Sequence, residues 1–197
     1  MGFYILKAYI KRRIYYNTEE EFEGIRLNLK HNPCPHCKNR GCLILHGYLY
    51  GYTEDTSSDV VKRGHRIFCS NRRKRNGKGC GRTFSILVSG FIKKHNITAK
   101  SVWKLLDNIK EGESLISASR RSGSDIEEAG IYHIFKKFKK NQVNIRTLLM
   151  SIKDPPVLKY TKNSIIQTIE HLRSAFKDST CPVSQFQYYF QTSFHLK

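Results

Sequence analysis

The chain has 197 residues, 39% hydrophobic and 12% aromatic, with 35 Lys and Arg against 16 Asp and Glu for a formal net charge of +19. That length fits one ordinary domain or two small ones, and the apolar content excludes wholesale disorder. A pI near 9.8 asks for a polyanionic partner, either nucleic acid or an anionic membrane surface. No apolar run nears the roughly 18 residues of a membrane span, and the N-terminus lacks a signal-peptide pattern. The expectation is therefore nucleic acid and no membrane, in a cytoplasmic, nucleoid-associated setting.

Residues 1–32 open with apolar, aromatic and basic residues through Tyr15-Tyr16, whose alternation does not settle strand against helix. Thr18 followed by Glu19-Glu20-Glu21 predicts a helix start, with Thr18 as N-cap and Glu21 closing a capping box. Phe22, Ile25 and Leu29 follow at helical spacing, so a packing helix is expected. Residues 33–92 change character. Leu43-Ile44-Leu45, Tyr48-Leu49-Tyr50, Val60-Val61 and Ile67-Phe68 predict a β-hairpin with its turn near Asp55–Ser58, and Thr83 to Ser89 a last strand. From Val60 to Leu106 there is no carboxylate, against thirteen Lys and Arg.

Residues 97–152 read as helical. Thr98 caps a helix with apolar face Val102, Leu105, Leu106 and Ile109, and Gly112 ends it. Ser114 caps a second, stopped by Gly123. A third is expected from Ser124 or Asp125, turning Ile131, Ile134, Phe135 and Phe138 inward and His133, Lys136, Lys137, Lys139 and Lys140 outward. Asp154-Pro155-Pro156 breaks the chain. Residues 157–197 hold one more helix, Asn163 to Phe176, and an aromatic segment with Phe186, Tyr189, Phe190 and Phe194, a candidate protein contact.

The cysteines are the strongest chemical signal. Without a secretory signal, Cys34-x2-Cys37 followed by Cys69 and Cys80 points to a metal site, and four thiolates make the usual closed, structural zinc arrangement. Lys38, Arg72 and Arg82 would offset its negative charge. Ten residues, Ser70 to Gly79, separate the second pair where two to four are usual, so a basic loop must be inserted there. Cys42 competes as a ligand but suits a small core hydrophobe, and Cys181 stands apart. His36, His46 and His65 suit packing or phosphate contact. The bland alternative is four unrelated buried cysteines.

The loop holding Arg72, Arg73, Lys74, Arg75 and Lys78 is the densest basic patch, and arginine forks match phosphate oxygens and guanine edges. Arg66 and Arg82, beside the cysteines, join the expected contacts. The third helix has the layout of a recognition helix, with Ser124 at the end meeting base edges and His133, Lys136, Lys137 and Lys140 along the backbone. The competing readings are a solvated charged loop and a helical hairpin that only packs.

Cys34-Pro35-His36-Cys37, Arg66-x-x-Cys69 and Gly79-Cys80-Gly81-Arg82-Thr83-Phe84-Ser85 resemble the N-terminal zinc ribbons of bacterial insertion-sequence transposases. Ser114 to Phe138, with Gly130-Ile131-Tyr132-His133-Ile134-Phe135, is similar to the helix-turn-helix that follows such ribbons. The resemblance covers roughly residues 33–140 and implies binding of element DNA. Those transposases also carry an RNase H-like domain with three metal-binding carboxylates. Here only Asp154, Glu170 and Asp178 follow residue 140, and no catalytic residues are assigned. The expected fold is α+β, a small β-rich zinc ribbon followed by a helix-turn-helix-like module and a C-terminal helical segment. The expected protein is a non-catalytic binder of double-stranded DNA, with RNA left open, accessory to a separate transposase or recombinase. Alternatives are a transcriptional regulator, an RNA-binding zinc-ribbon protein, and a truncated transposase or nuclease.

Overall fold

The computed structural model describes residues 14–52, 60–72, 78–124, 126–157 and 163–195. The fold is α+β, with a four-stranded mixed sheet and six α-helices among the described residues. The chain divides into two compact units, Met1–Leu49 with Lys62–Val88, and Tyr50–Val61 with Ser89–Lys197.

The first unit begins with a two-residue strand, β1 (Tyr15–Tyr16), and a helix, α1 (Glu19–Leu27). Thr18 caps α1 as its sequence predicts, its hydroxyl accepting from the Glu21 N–H at 3.3 Å. The Glu21 carboxylate accepts from the Asn17 N–H at 3.0 Å. The first satisfies a donor that the helix start leaves over; the second ties Asn17, one residue before the cap, where the expected capping box would have Glu21 reach the N–H of Thr18 itself. The strands β2 (Leu43–Tyr52), β3 (Val60–Cys69) and β4 (Thr83–Val88) join β1 in the order β1-β4-β3-β2. β1 runs parallel to β4, with Tyr15 opposite Leu87; β3 is antiparallel to β4, from Gly64 opposite Leu87 to Phe68 opposite Thr83. The expected turn at Asp55–Ser58 lies outside the described residues.

Period-two alternation puts His65, Ile67 and Cys69 of β3 inside and Arg66 outside. That inner face meets Phe22, Ile25 and Leu29. The N-terminal helix therefore closes the same small core that holds Cys34, Cys42 and Cys69, where each fully buried large side chain contributes about 1.5–3 kcal/mol. His65 stacks on Phe22 with ring centroids 3.3 Å apart, its Nε2 3.4 Å from a Glu19 carboxylate oxygen.

The helices of the second unit are α2 (Ala99–Lys110), α3 (Leu115–Ser122), α4 (Glu128–Met150), α5 (Ser164–Ala175) and α6 (Pro182–Phe190). Thr98, Ser114 and Asn163 cap α2, α3 and α5 through side-chain oxygens. Gly123 ends α3 at φ 74°, a left-handed conformation that glycine adopts without steric cost. Leu105, Ala118 and Ile131 join α2, α3 and α4 in one cluster.

The third helix departs from expectation at its start. It starts at Glu128, three to four residues later than Ser124 or Asp125. Ser124 is buried in the turn, its hydroxyl accepting from the Ile126 N–H at 3.4 Å, and Ile126 packs inward. It then runs unbroken to Met150, because no breaker intervenes before Asp154-Pro155-Pro156.

The tail is built into this unit. Ile169, Leu172, Val183, Phe186 and Phe194 share a core with Val102, Leu106, Phe138 and Leu149. Two buried amides lock it there. Gln187 Nε2 donates to the Ser89 carbonyl at 2.7 Å and the Phe91 carbonyl at 3.1 Å, while its Oε1 accepts from the Phe194 N–H at 3.2 Å. Asn141 Nδ2 donates to the Phe194 carbonyl at 2.7 Å.

Candidate metal centre and basic surfaces

Two chain reversals bring the cysteines together. At the first, the Cys34 N–H donates to the Asn39 carbonyl and the Lys38 N–H to the Cys34 carbonyl, each at 2.9 Å. Lys38 takes a left-handed conformation, φ 64°, to complete the knuckle. At the second, the Cys69 N–H donates to the Arg82 carbonyl at 2.9 Å and the Gly81 N–H to the Cys69 carbonyl at 3.0 Å. The ten-residue insertion is thereby pinched at its base. Gly79 lies so close to Ser70 that a Cβ there would come within 2.1 Å of the Ser70 carbonyl oxygen. The Asn39 amide also donates to the Lys78 carbonyl, tying the far end of the insertion to the first knuckle. This closure makes the long gap compatible with a shared site.

The sulfur atoms of Cys34, Cys37, Cys69 and Cys80 all lie within 4.8 Å of one another. Cys34 Sγ is 3.8 Å from Cys80 Sγ, and Cys37 Sγ 3.6 Å from Cys69 Sγ. Four sulfurs bound tetrahedrally at about 2.3 Å would sit about 3.8 Å apart, so the residues fit a metal ion of that size. Backbone N–H groups point at the sulfurs, His36 to Cys34 at 3.4 Å and Cys80 to Cys69 at 3.2 Å. The Asn39 N–H draws the Cys37 thiol down to about 7, whereas burial pushes Cys34 and Cys69 up. A bound cation reverses that burial cost by holding the sulfurs as thiolates. All four cysteines singled out in the sequence are thus brought together.

Cys42 stands beside this set. Its sulfur lies 3.2 Å from Cys69 Sγ, closer than a tetrahedral edge, and donates to the Asn39 carbonyl at 3.2 Å. It is buried in the core, as its place before Leu43 implied. Its contact with a ligand sulfur is legible only in three dimensions.

The expected nucleic-acid contacts fall in several places. Arg66, Arg72, Lys78 and Arg82 are exposed on the cysteine unit; Arg73, Lys74 and Arg75 lie outside the described residues, as does Asp125. Ser124 is buried. Along α4, His133, Lys136 and Lys140 line one groove of about 670 Å³ with Lys139, Tyr132 and Phe135. The Lys139 ammonium lies over the Phe135 ring at 5.7 Å, where cation–π attraction steadies it. Lys137 turns away from that groove, its Nζ 3.1 Å from His95 Nε2. Glu128, at the helix start, lies 3.8 Å from Arg120. Reading the sequence for charge alone missed the aromatic floor of the groove and the exposed Tyr48, Tyr50 and Tyr52, whose alternation along β2 was the available signal.

No helix among the described residues is long and apolar enough to cross a membrane. No protein-family profile, curated protein or solved structure matches this chain.

Proposed function

We propose that this chain is a non-catalytic, zinc-stabilised DNA-binding protein of a mobile genetic element, accessory to a separate transposase or recombinase and associated with the nucleoid. The observation that carries the reading is a four-cysteine cluster of zinc-like dimensions, two of whose members, Cys69 and Cys80, lie in a stretch with no carboxylate from Val60 to Leu106. Zinc, held by Cys34, Cys37, Cys69 and Cys80, would cross-link the two knuckles and leave no open position for substrate. The basic loop and the α4 groove would then grip phosphates, while exposed Tyr189 on α6 is available to a protein partner. Catalysis falls to another protein in this reading. Glu170 is engaged by Lys110 at 3.0 Å, and Asp107 by Arg173.

A second reading, recognition of unpaired strands or RNA, is favoured by Tyr48, Tyr50 and Tyr52, each more than half exposed on one strand. Affinities for duplex DNA, single-stranded DNA and RNA at matched salt decide between the two. Metal analysis of the purified protein tests the zinc, and absence of binding to all three polymers at low salt would overturn the proposal.

A further inference from the structure

Three histidines and a lysine meet in the second unit, drawn from segments far apart in sequence. His95 lies in the loop before α2, His133 and Lys137 stand one turn apart on α4, and His195 follows α6. The His95 ring is 5.8 Å from His133 and 5.5 Å from His195, centroid to centroid, and His95 Nε2 lies 3.1 Å from Lys137 Nζ. His195 is 7% exposed, and neither of its ring nitrogens has a hydrogen-bond partner among the described residues. No described carboxylate lies within ion-pair distance of Lys137.

Burying an unbonded imidazole beside other nitrogen bases and an ammonium is unfavourable, and natural folds rarely leave such groups without a reason. Here the fold holds them in place. Asn141 and Gln187 fix both backbone polar groups of Phe194, and the Phe194 ring stacks on Phe138 with centroids 5.7 Å apart. His195 is thereby set edge-on to His95. The cluster is not arranged for a metal, since only the four cysteines bring three or more ligand atoms within 4.8 Å of one another among the described residues. It offers donors instead: an ammonium and imidazole N–H groups.

We propose that His95, His133, Lys137 and His195 form an anion site that takes one phosphate group. His133 is exposed and Lys137 and His95 are partly buried, so these three contact the phosphate, while His195 backs the His95 ring. In its deeper form, a backbone or terminal phosphate of nucleic acid, the inference rests on the reading above; the capture of phosphate itself does not.

The experiment follows the histidine side-chain resonances by nuclear magnetic resonance as inorganic phosphate is added to the full chain at constant ionic strength. A saturable shift at His95 and His133 is expected, weakened about tenfold or more in Lys137→Gln, the loss that one charge-assisted hydrogen bond implies. His133→Gln, at an exposed position, should weaken it with the fold intact. A shift that chloride reproduces, or none at all, overturns the site. Oligonucleotides with a 5′-phosphate and with a 5′-hydroxyl then separate the sources: preference for the former assigns a terminal phosphate, equal binding lost in both variants a backbone phosphate. Phosphate capture without binding of any oligonucleotide would keep the site and sink the nucleic-acid reading. Oligonucleotide binding unchanged in both variants, with no phosphate shift, would do the reverse.

Discussion

Removing one sulfur from the four-cysteine cluster should cost the first unit most of its stability. A metal bridging Cys37 and Cys69 joins residues 32 positions apart, and the chain-entropy relation for a cross-link of that span gives about 4 kcal/mol. The bridge from Cys34 to Cys80 spans 46 positions and constrains the same stretch, so the two are not additive. Whole domains are stable by only about 5–15 kcal/mol, and the core of this unit is small. Cys69→Ser should therefore lose the metal and melt well below the parent protein, and a strong chelator should have the same effect on the parent. Cys42→Ser is the control. Its sulfur is outside the four-ligand set, so metal content should stay at one ion per chain and the loss should be that of one buried contact. Circular dichroism melts with metal analysis of each variant give the comparison. If Cys42→Ser lost the metal and Cys69→Ser kept it, the ligand assignment would be wrong.

Three further outcomes are expected. Changing Lys136, Lys139 and Lys140 together to Gln should flatten the dependence of log affinity for duplex DNA on log salt by about 2.7, which a salt titration by fluorescence anisotropy reads directly; an unchanged slope would return the α4 groove to ordinary surface. His195 is held at about 3, chiefly by burial and then by His95, Lys137 and His133, so an unfolded chain takes up its proton first as pH falls below about 6.5. Stability should thus drop by about 2 kcal/mol between about pH 6.5 and 5, a loss absent from His195→Leu in urea titrations at the two pH values. Gly79→Ala should force Ser70 aside, lowering metal affinity without touching a ligand; wild-type affinity in a competition with a chromophoric chelator would contradict the pinched-base geometry.

The local features of this fold were readable from the chain. Thr18, Thr98, Ser114 and Asn163 cap helices because the bond joins a side chain to a backbone group two or three residues on, and nothing distant intervenes. The pair Cys34 and Cys37 was readable for the same reason. Non-local features were not. Tyr15-Tyr16 becomes a strand only because β4 lies beside it, and two residues carry no periodicity. Ser124 is a cap by type, yet the packing of Ile126 against the Leu105, Ala118 and Ile131 cluster draws that turn inward and delays the helix to Glu128. The histidine cluster joins residues 38 or more positions apart, and no spacing in the chain announces it.

The meeting of Ser70 and Gly79 separates what the insertion carries from what the cysteines need. Because the two ends close on one another, the chain between them is a detour whose length adds only about 0.6 kcal/mol for each doubling. A change of sequence or length between Arg72 and Lys78 would thus leave the meeting of Ser70 and Gly79, and with it the knuckles, in place. If the basic loop binds as proposed, this closure makes it a replaceable cassette, where new target preferences would be written without rebuilding the scaffold that presents it.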